Sequence, residues 1–255
     1  MNVVVCVKQI PDPASPGKLD PSTKTLVREG KLVVDDSDMY GIEMALQLVG
    51  TAGGGEVTLV SMAPNNETAG LRTGLAMGAA KAILVSDDSL KGADALTTAK
   101  VLAAAIKRVN PDLVIAATES TDGYTGTLPV QMAELLGFPS ITFAKSVQVD
   151  GTTVKVDRQT EAGYDEVECP LPAVVTVTAG VVEPRYPSFK GIMAAKGKPV
   201  EQLTVADLGI DGGVAVTQEV TDVVAAEARK AGEIVTDEGD AHERIVQFLE
   251  QLKVI

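Results

Sequence analysis

Four times before Gly137 the chain sets a short apolar run ahead of a stretch with helical periodicity, and few architectures accommodate that rhythm. The runs are Val3-Val4-Val5-Cys6-Val7, residues 56–62, Ala82 to Val85 and Leu113-Val114-Ile115-Ala116-Ala117. They are β-branched and too short for helices, so they read as strands buried on both faces. Between them, Ile42, Ala45, Leu46 and Val49 fall at i, i+3, i+4, i+7 and predict a helix over residues 39–49. Asn65-Asn66-Glu67 opens a second helix through Leu71, Leu75 and Met77, and Gly78 closes it. Residues 93–109 make a long Ala-rich third helix, and Met132, Leu135 and Leu136 mark a fourth after Pro129. Strand and helix in strict alternation imply a doubly wound, mostly parallel sheet with helices on both faces.

The rhythm changes after Pro139. Val147, Val149, Val154, Val156 and Val167 alternate with polar residues around Asp150-Gly151 and Ala162-Gly163, which predicts antiparallel hairpins. Ala173 to Thr178 is apolar again and is expected back in the main sheet. The organisation expected is one α/β domain over residues 1–208 with an antiparallel hairpin edge. Residues 209–255 then form a C-terminal arm: Gly209 to Glu233 is acidic and without period, and Ile245, Phe248, Leu249 and Leu252 predict a terminal helix. Such a helix docks on its own domain or on a partner subunit.

Composition narrows the function. The formal net charge is -13, which disfavours nucleic-acid phosphates and anionic membrane surfaces. No apolar run reaches the roughly 20 residues of a membrane span, and residues 1–7 are too short and too β-like for a signal peptide. Cys6 and Cys169 build no disulfide framework, and one histidine, His242, anchors no multi-histidine metal site. A cytoplasmic location, with no membrane insertion and no metal, is the expectation. The chain contains no GxxxxGK[ST] and no GxGxxG, and no nucleophile–base set or acid–base pair stands out, so no catalytic residue is assigned.

The stretch richest in binding potential follows the fourth strand. Thr118 to Thr127 is almost wholly small and polar, and it precedes a helix. In an open parallel sheet, ligands bind beyond the strands' carboxyl ends. Thr118, Ser120, Thr121, Thr125 and Thr127 supply hydroxyls, Gly123 and Gly126 admit close backbone approach, and the helix start suits a phosphate. A plain polar loop that caps a helix fits the same residues. Lys8 ends the first strand on the same rim. Asp35, Asp36, Ser37 and Asp38 precede the helix over residues 39–49; one is its N-cap, and beside a nucleotide their oxygens suit ribose hydroxyls better than phosphate. Asp12 to Gly30 is a long Pro-, Ser- and Lys-rich excursion that Pro11 introduces.

The sharpest motif is Glu183-Pro184-Arg185-Tyr186-Pro187-Ser188-Phe189-Lys190-Gly191-Ile192-Met193-Ala194-Ala195-Lys196. With Val7-Lys8-Gln9, SMAPNNETAGLRTGLAMGA and STDGYTG in matching order, nearly the whole chain resembles the electron-transfer flavoprotein β-subunit family. The resemblance implies a Rossmann-like, adenine-nucleotide-binding fold. It implies a heterodimer with an α subunit that holds the redox FAD, with a structural AMP in this subunit. It implies electron transfer from flavin dehydrogenases of the acyl-CoA dehydrogenase type to a quinone oxidoreductase, by a carrier and not an enzyme. The implied AMP site falls on Cys6; on Asp35, Asp36, Ser37 and Asp38; on Met62; and on Ala117, Thr118, Glu119, Ser120, Thr121, Asp122, Gly123, Tyr124, Thr125, Gly126, Thr127 and Leu128. Partner recognition falls on Glu183, Pro184, Arg185, Tyr186, Pro187, Ser188, Phe189, Lys190, Gly191, Ile192 and Met193. A phenylalanine most often packs in its own core; the resemblance implies that Phe189 instead enters a pocket on the dehydrogenase. Three positions depart from the family. An amide or small apolar residue often stands in place of Asp35. Electron-bifurcating relatives, which hold a second FAD and oxidise NADH, carry an acid and an amide where Tyr124 and Thr127 stand. That departure favours AMP over a second FAD.

Overall fold

The computed structural model describes residues 1–15, 17–63, 65–210, 213–224, 232 and 234–255. Pro64, after the second predicted strand, and residues 211, 212, 225–231 and 233 of the expected arm lie outside the described residues. The strands are β1 (Asn2–Cys6), β2 (Gln9–Pro11), β3 (Leu32–Val34), β4 (Glu56–Met62), β5 (Lys81–Val85), β6 (Leu113–Ala117), β7 (Ser140–Asp150), β8 (Thr153–Thr160), β9 (Gly163–Pro170), β10 (Ala173–Val177) and β11 (Val200–Leu203). The α-helices are α1 (Asp36–Thr51), α2 (Ala69–Met77), α3 (Ala95–Lys107), α4 (Leu128–Leu136), α5 (Phe189–Ala195) and α6 (Ala241–Gln251).

The main sheet runs β11-β5-β4-β1-β6-β10-β7-β8-β9. From β11 to β7 every pairing is parallel; β7, β8 and β9 pair antiparallel and form the predicted hairpin edge. Alternate residues of β1 explain its central place. Val3, Val5 and Val7 join one core cluster with Ile42 and Ala45 of α1 and Leu71 and Leu75 of α2. Val4 and Cys6 join the other, with Val101 and Ile106 of α3 and Met132 of α4. A strand with two apolar faces is stable only between two helical layers, and each fully buried Val or Leu contributes roughly 1.5–3 kcal/mol by leaving water.

The chain passes from β1 to β4 on one side and returns to β6 on the other. That reversal is the topological switch point, and it leaves a crevice beyond the carboxyl ends of β1 and β6.

Three features differ from expectation. The first extended stretch ends at Pro11 but breaks after Cys6: Gln9–Pro11 pairs with Leu32–Val34 as a separate two-stranded sheet, where an edge place spares the missing proline donor. β11 was not predicted, because Glu201 and Gln202 face outward and the strand lacks an apolar alternation. Part of the expected arm also lies against the domain. Asp94, the N-cap of α3, accepts from the Thr217 amide at 2.8 Å and hydroxyl at 2.9 Å, and Thr97 donates to the Ala215 carbonyl at 3.2 Å. Burial works against the Asp94 carboxylate, but the amides and hydroxyls of Thr97 and Thr217 outweigh it and hold its pKa far below the usual range.

The chain forms two compact units, Met1–Val220 and Thr221–Ile255. The second holds α6, an amphipathic helix with Ile245, Phe248 and Leu252 among its exposed residues.

Candidate functional site

The switch-point crevice is built from two carboxylates one helical turn apart. β3 delivers Asp35 beside the end of β1, where the Asp35 amide donates to the Lys8 carbonyl at 2.9 Å. Asp35 is the N-cap of α1 and is fully buried. Its Oδ1 accepts from the amide and hydroxyl of Ser37 at 3.0 and 2.6 Å. Its Oδ2 accepts from the amide and hydroxyl of Thr121 at 2.7 and 3.0 Å. The cap of α1 therefore also ties down the loop after β6. Three residues on, Asp38 Oδ2 accepts from the Lys8 amide at 2.6 Å and fixes α1 to the end of β1. Burial pushes the Asp38 carboxyl well above the usual aspartate range, with Asp35 adding to the rise against the Lys8 amide.

A third acid closes the loop. Asp122 is buried and accepts from Lys8 Nζ at 2.6 Å and from Arg28 Nη2 at 2.5 Å. Burial opposes its charge, but the two cations prevail and hold Asp122 below its ordinary pKa. Lys8 also donates to Ser120 Oγ at 3.1 Å, and Arg28 reaches the Gln9 carbonyl at 3.4 Å. The excursion that carries Arg28 is thereby pinned over the loop. Thr118 secures the loop's start by donating to the Val177 carbonyl at 3.2 Å.

The amides of Gly123, Thr125, Gly126 and Thr127 have no acceptor among the described residues, and these four residues are exposed. Tyr124 at φ 48° and Gly126 at φ 68° turn the backbone through the left-handed region, which successive amides need to face one ligand. Unpaired amides before a helix start form a receptor for an anion. Pro129, in the first turn of α4, has no amide to contribute.

The structure brings most of the expected nucleotide residues to this crevice. Asp35, Asp36, Ser37 and Asp38 begin α1, and Ala117 to Leu128 run from β6 into α4. Met62 ends β4, half-buried. Cys6 comes only by its backbone: its Sγ points into the core, 3.7 Å from Met132 Sδ, and burial, with Asp38 nearby, pushes its thiol to about 12. That thiol is no nucleophile at neutral pH. Among the described residues no group of three His, Cys, Asp or Glu side chains could hold a metal, and no helix is long and apolar enough to cross a membrane.

Residues Glu183 to Met193 lie elsewhere, on α1 and α2. Arg185 forks onto Glu43 of α1 at 2.6 and 2.9 Å. Ser188 N-caps α5 by accepting from the Gly191 amide at 3.1 Å. A Cβ on Gly191 would stand 2.3 Å from the Ala76 carbonyl, so only glycine lets α5 approach α2 so closely. The two helices cap each other. Arg72 of α2 donates to the carbonyls of Ala195 and Lys198 at 2.7 and 2.9 Å, and Lys198 donates to Leu75 and Ala79 at 2.8 and 2.7 Å. On this base Tyr186 and Phe189 are 92% and 80% exposed. Phe189 therefore has no place in the chain's own core.

Lys8 was placed on the rim by its position after the strand, but Arg28 and Glu43 carried no sequence signal. Arg28 sits in an irregular excursion, and Glu43 lies inside a helix where charged residues are ordinarily solvated.

Comparison with known proteins bears on both regions. Residues 23–208 match the family model of the electron transfer flavoprotein domain. A Mycobacterium tuberculosis protein described as electron transfer flavoprotein subunit beta is 40% identical over 100% of this chain and 99% of its own length. One of the same description from Thermoanaerobacterium thermosaccharolyticum is 37% identical over 99% of this chain and 98% of its own. The caffeyl-CoA reductase-Etf complex subunit CarD of Acetobacterium woodii is 35% identical over 92% of each.

Proposed function

Because this chain belongs to the electron transfer flavoprotein β-subunit family, we propose that it is the β half of a heterodimeric electron carrier. On this reading AMP sits in the switch-point crevice, and the α subunit holds most of the FAD. The heterodimer accepts electrons from flavin dehydrogenases of the acyl-CoA dehydrogenase type and passes them to a quinone oxidoreductase, and it works in the cytoplasm. The chain contributes binding and docking, not catalysis.

The observation that supports the nucleotide most directly is the row of unpaired amides at Gly123, Thr125, Gly126 and Thr127, held over the end of β1. Those amides suit the phosphate. Asp35 and Ser37, at the start of α1, suit the ribose hydroxyls. AMP when bound supplies no redox chemistry; it fills the crevice and ties the loop to α1. The exposed apolar helix α5 supplies the contact to the dehydrogenase, through Phe189 with Ile192 and Met193 beside it.

A second reading is favoured by the likeness to CarD, a subunit of a reductase-Etf complex. On this second reading the crevice of the present chain holds a second FAD and its complex oxidises NADH. Cofactor counting separates the two. The heterodimer, purified and denatured, is expected to release one FAD and one AMP; two FAD and no AMP would establish the bifurcating reading instead.

Residues 221–255 are proposed to pack on the α subunit. The segment before α6 is acidic, and α6 exposes Ile245 and Phe248. Hydrogen exchange over residues 241–251 is expected to slow in the heterodimer relative to the isolated chain. Equal exchange in both states would refute the contact.

A further inference from the structure

Glu43 is a buried carboxylate on α1, flanked by the core residues Ile42 and Met44. Four donors converge on it: Arg185 Nε at 2.6 Å, Arg185 Nη2 at 2.9 Å, the Arg185 amide at 3.3 Å and Gln47 Nε2 at 2.9 Å. Burial opposes its charge, but the hydrogen bonds and charge of Arg185 prevail and keep Glu43 below the ordinary glutamate range. Among the described residues Arg185 is its one cationic partner. Glu43 is buried but Arg185 is half exposed, so the pair adds little stability; the best-attested use of pairing a buried charge is to fix one geometry among several. The question is which geometry.

Arg185 lies between Pro184 and Pro187, whose rings hold φ near its extended value. The chain leaves the surface directly after it, at Tyr186, and reaches the Ser188 cap of α5 three residues later. The far end of α5 is held by Arg72 at Ala195, and Gly191, the third residue of the helix, lies close against Ala76. The near end is held by Glu43. A stiff segment fixed at both ends presents its apolar side chains already ordered, so a partner loses less entropy on binding.

We propose that Glu43 is a positioning residue for docking: through the Arg185 fork it sets the direction in which residues 186–193 leave the domain, and so where Phe189 stands. This rests on the docking role given to α5 above. Without the Glu43 charge, α5 stays attached to α2 from Gly191 onward, but residues 186–190 ahead of that contact, Phe189 among them, are free to swing.

The test uses the heterodimer reconstituted with its α subunit and FAD, with an acyl-CoA dehydrogenase reduced by its acyl-CoA substrate as donor. Transfer is measured against carrier concentration for the native chain, Glu43→Gln, Arg185→Lys and Phe189→Ala. Glu43→Gln is expected to raise KM about tenfold with kcat within about twofold. Arg185→Lys, which keeps the charge but loses the fork, is expected to fall between. Hydrogen exchange at residues 185–190 should quicken in both, with flavin and nucleotide content intact. An unaltered KM in Glu43→Gln beside a raised KM in Phe189→Ala overturns the positioning role alone. An unaltered KM in both overturns the docking reading beneath it. If Glu43→Gln does not assemble, Arg185→Lys decides, since it leaves α1 untouched: a native KM there overturns the proposal.

Discussion

Phe189→Ala is expected to slow reduction of the heterodimer by an acyl-CoA dehydrogenase about thirtyfold, while the protein melts at its usual temperature and keeps its cofactors. The side chain is 80% exposed, so removing it leaves no cavity in this chain. Truncating an apolar anchor at the centre of a transient interface costs about 2 kcal/mol or more, and that is about thirtyfold in affinity. Half-exposed Ile192 and Met193 surround the anchor, and the charges of Lys190 and Lys196 lie on the same short element. A loss confined to low carrier concentrations would place the effect in association. Native transfer by the Ala variant, in the same assay, would remove Phe189 from the interface.

Asp35→Ala is the second substitution expected to have a large effect, and it acts on stability and on the nucleotide together. The carboxylate caps α1, and loss of such a cap costs about 1 kcal/mol. It also satisfies the amide and hydroxyl of Thr121, and leaving such donors unpaired adds about 1–3 kcal/mol. A total near 3 kcal/mol is expected in urea unfolding of the heterodimer, on the order of the sum of those two effects. AMP content should fall with it, because the Thr121 tie is what holds the loop in register with α1. Asp35→Asn keeps one acceptor for the cap and should recover roughly the capping share without restoring the loop. A native unfolding midpoint together with full AMP content in the Ala variant would show the tie to be dispensable.

Much of the frame was legible because its signals are local. The β6–loop–α4 unit follows from an apolar run, a small polar stretch and a helical period within one window of sequence. The Asp150-Gly151 turn announced the β7–β8 hairpin. What escaped is what depends on distant partners. Asp35 and Thr121 lie 86 residues apart, and Arg28 and Asp122 lie 94 apart, so no spacing rule joins them. Glu43 looks like an ordinary helix surface residue until its turn of α1 is seen to face inward. β11 is a solvated edge whose polar sequence carries no strand rhythm. Resemblance brought the crevice residues together in advance, but it did not show that Asp35 takes the Thr121 amide and hydroxyl while the amides of Gly123, Thr125, Gly126 and Thr127 have no acceptor among the described residues.

The crossed capping of α2 and α5 bears on how fast partners can meet. A helix of seven residues is far below the length at which an isolated helix persists in water. Left alone, α5 would spend most of its time unwound, and an arriving protein would have to wait for it to form. Arg72 and Lys198 remove that wait. Each closes the open carbonyls of the other helix, and burial drives down the Lys198 pKa without breaking its two bonds. Opening α5 therefore exposes the carboxyl end of α2, whose Leu71 and Leu75 are fully buried in the sheet's core. The lifetime of the small helix becomes that of the domain. If α5 is the docking element proposed above, a collision finds the same shape every time, and encounter frequency, not local refolding, sets the pace of exchange.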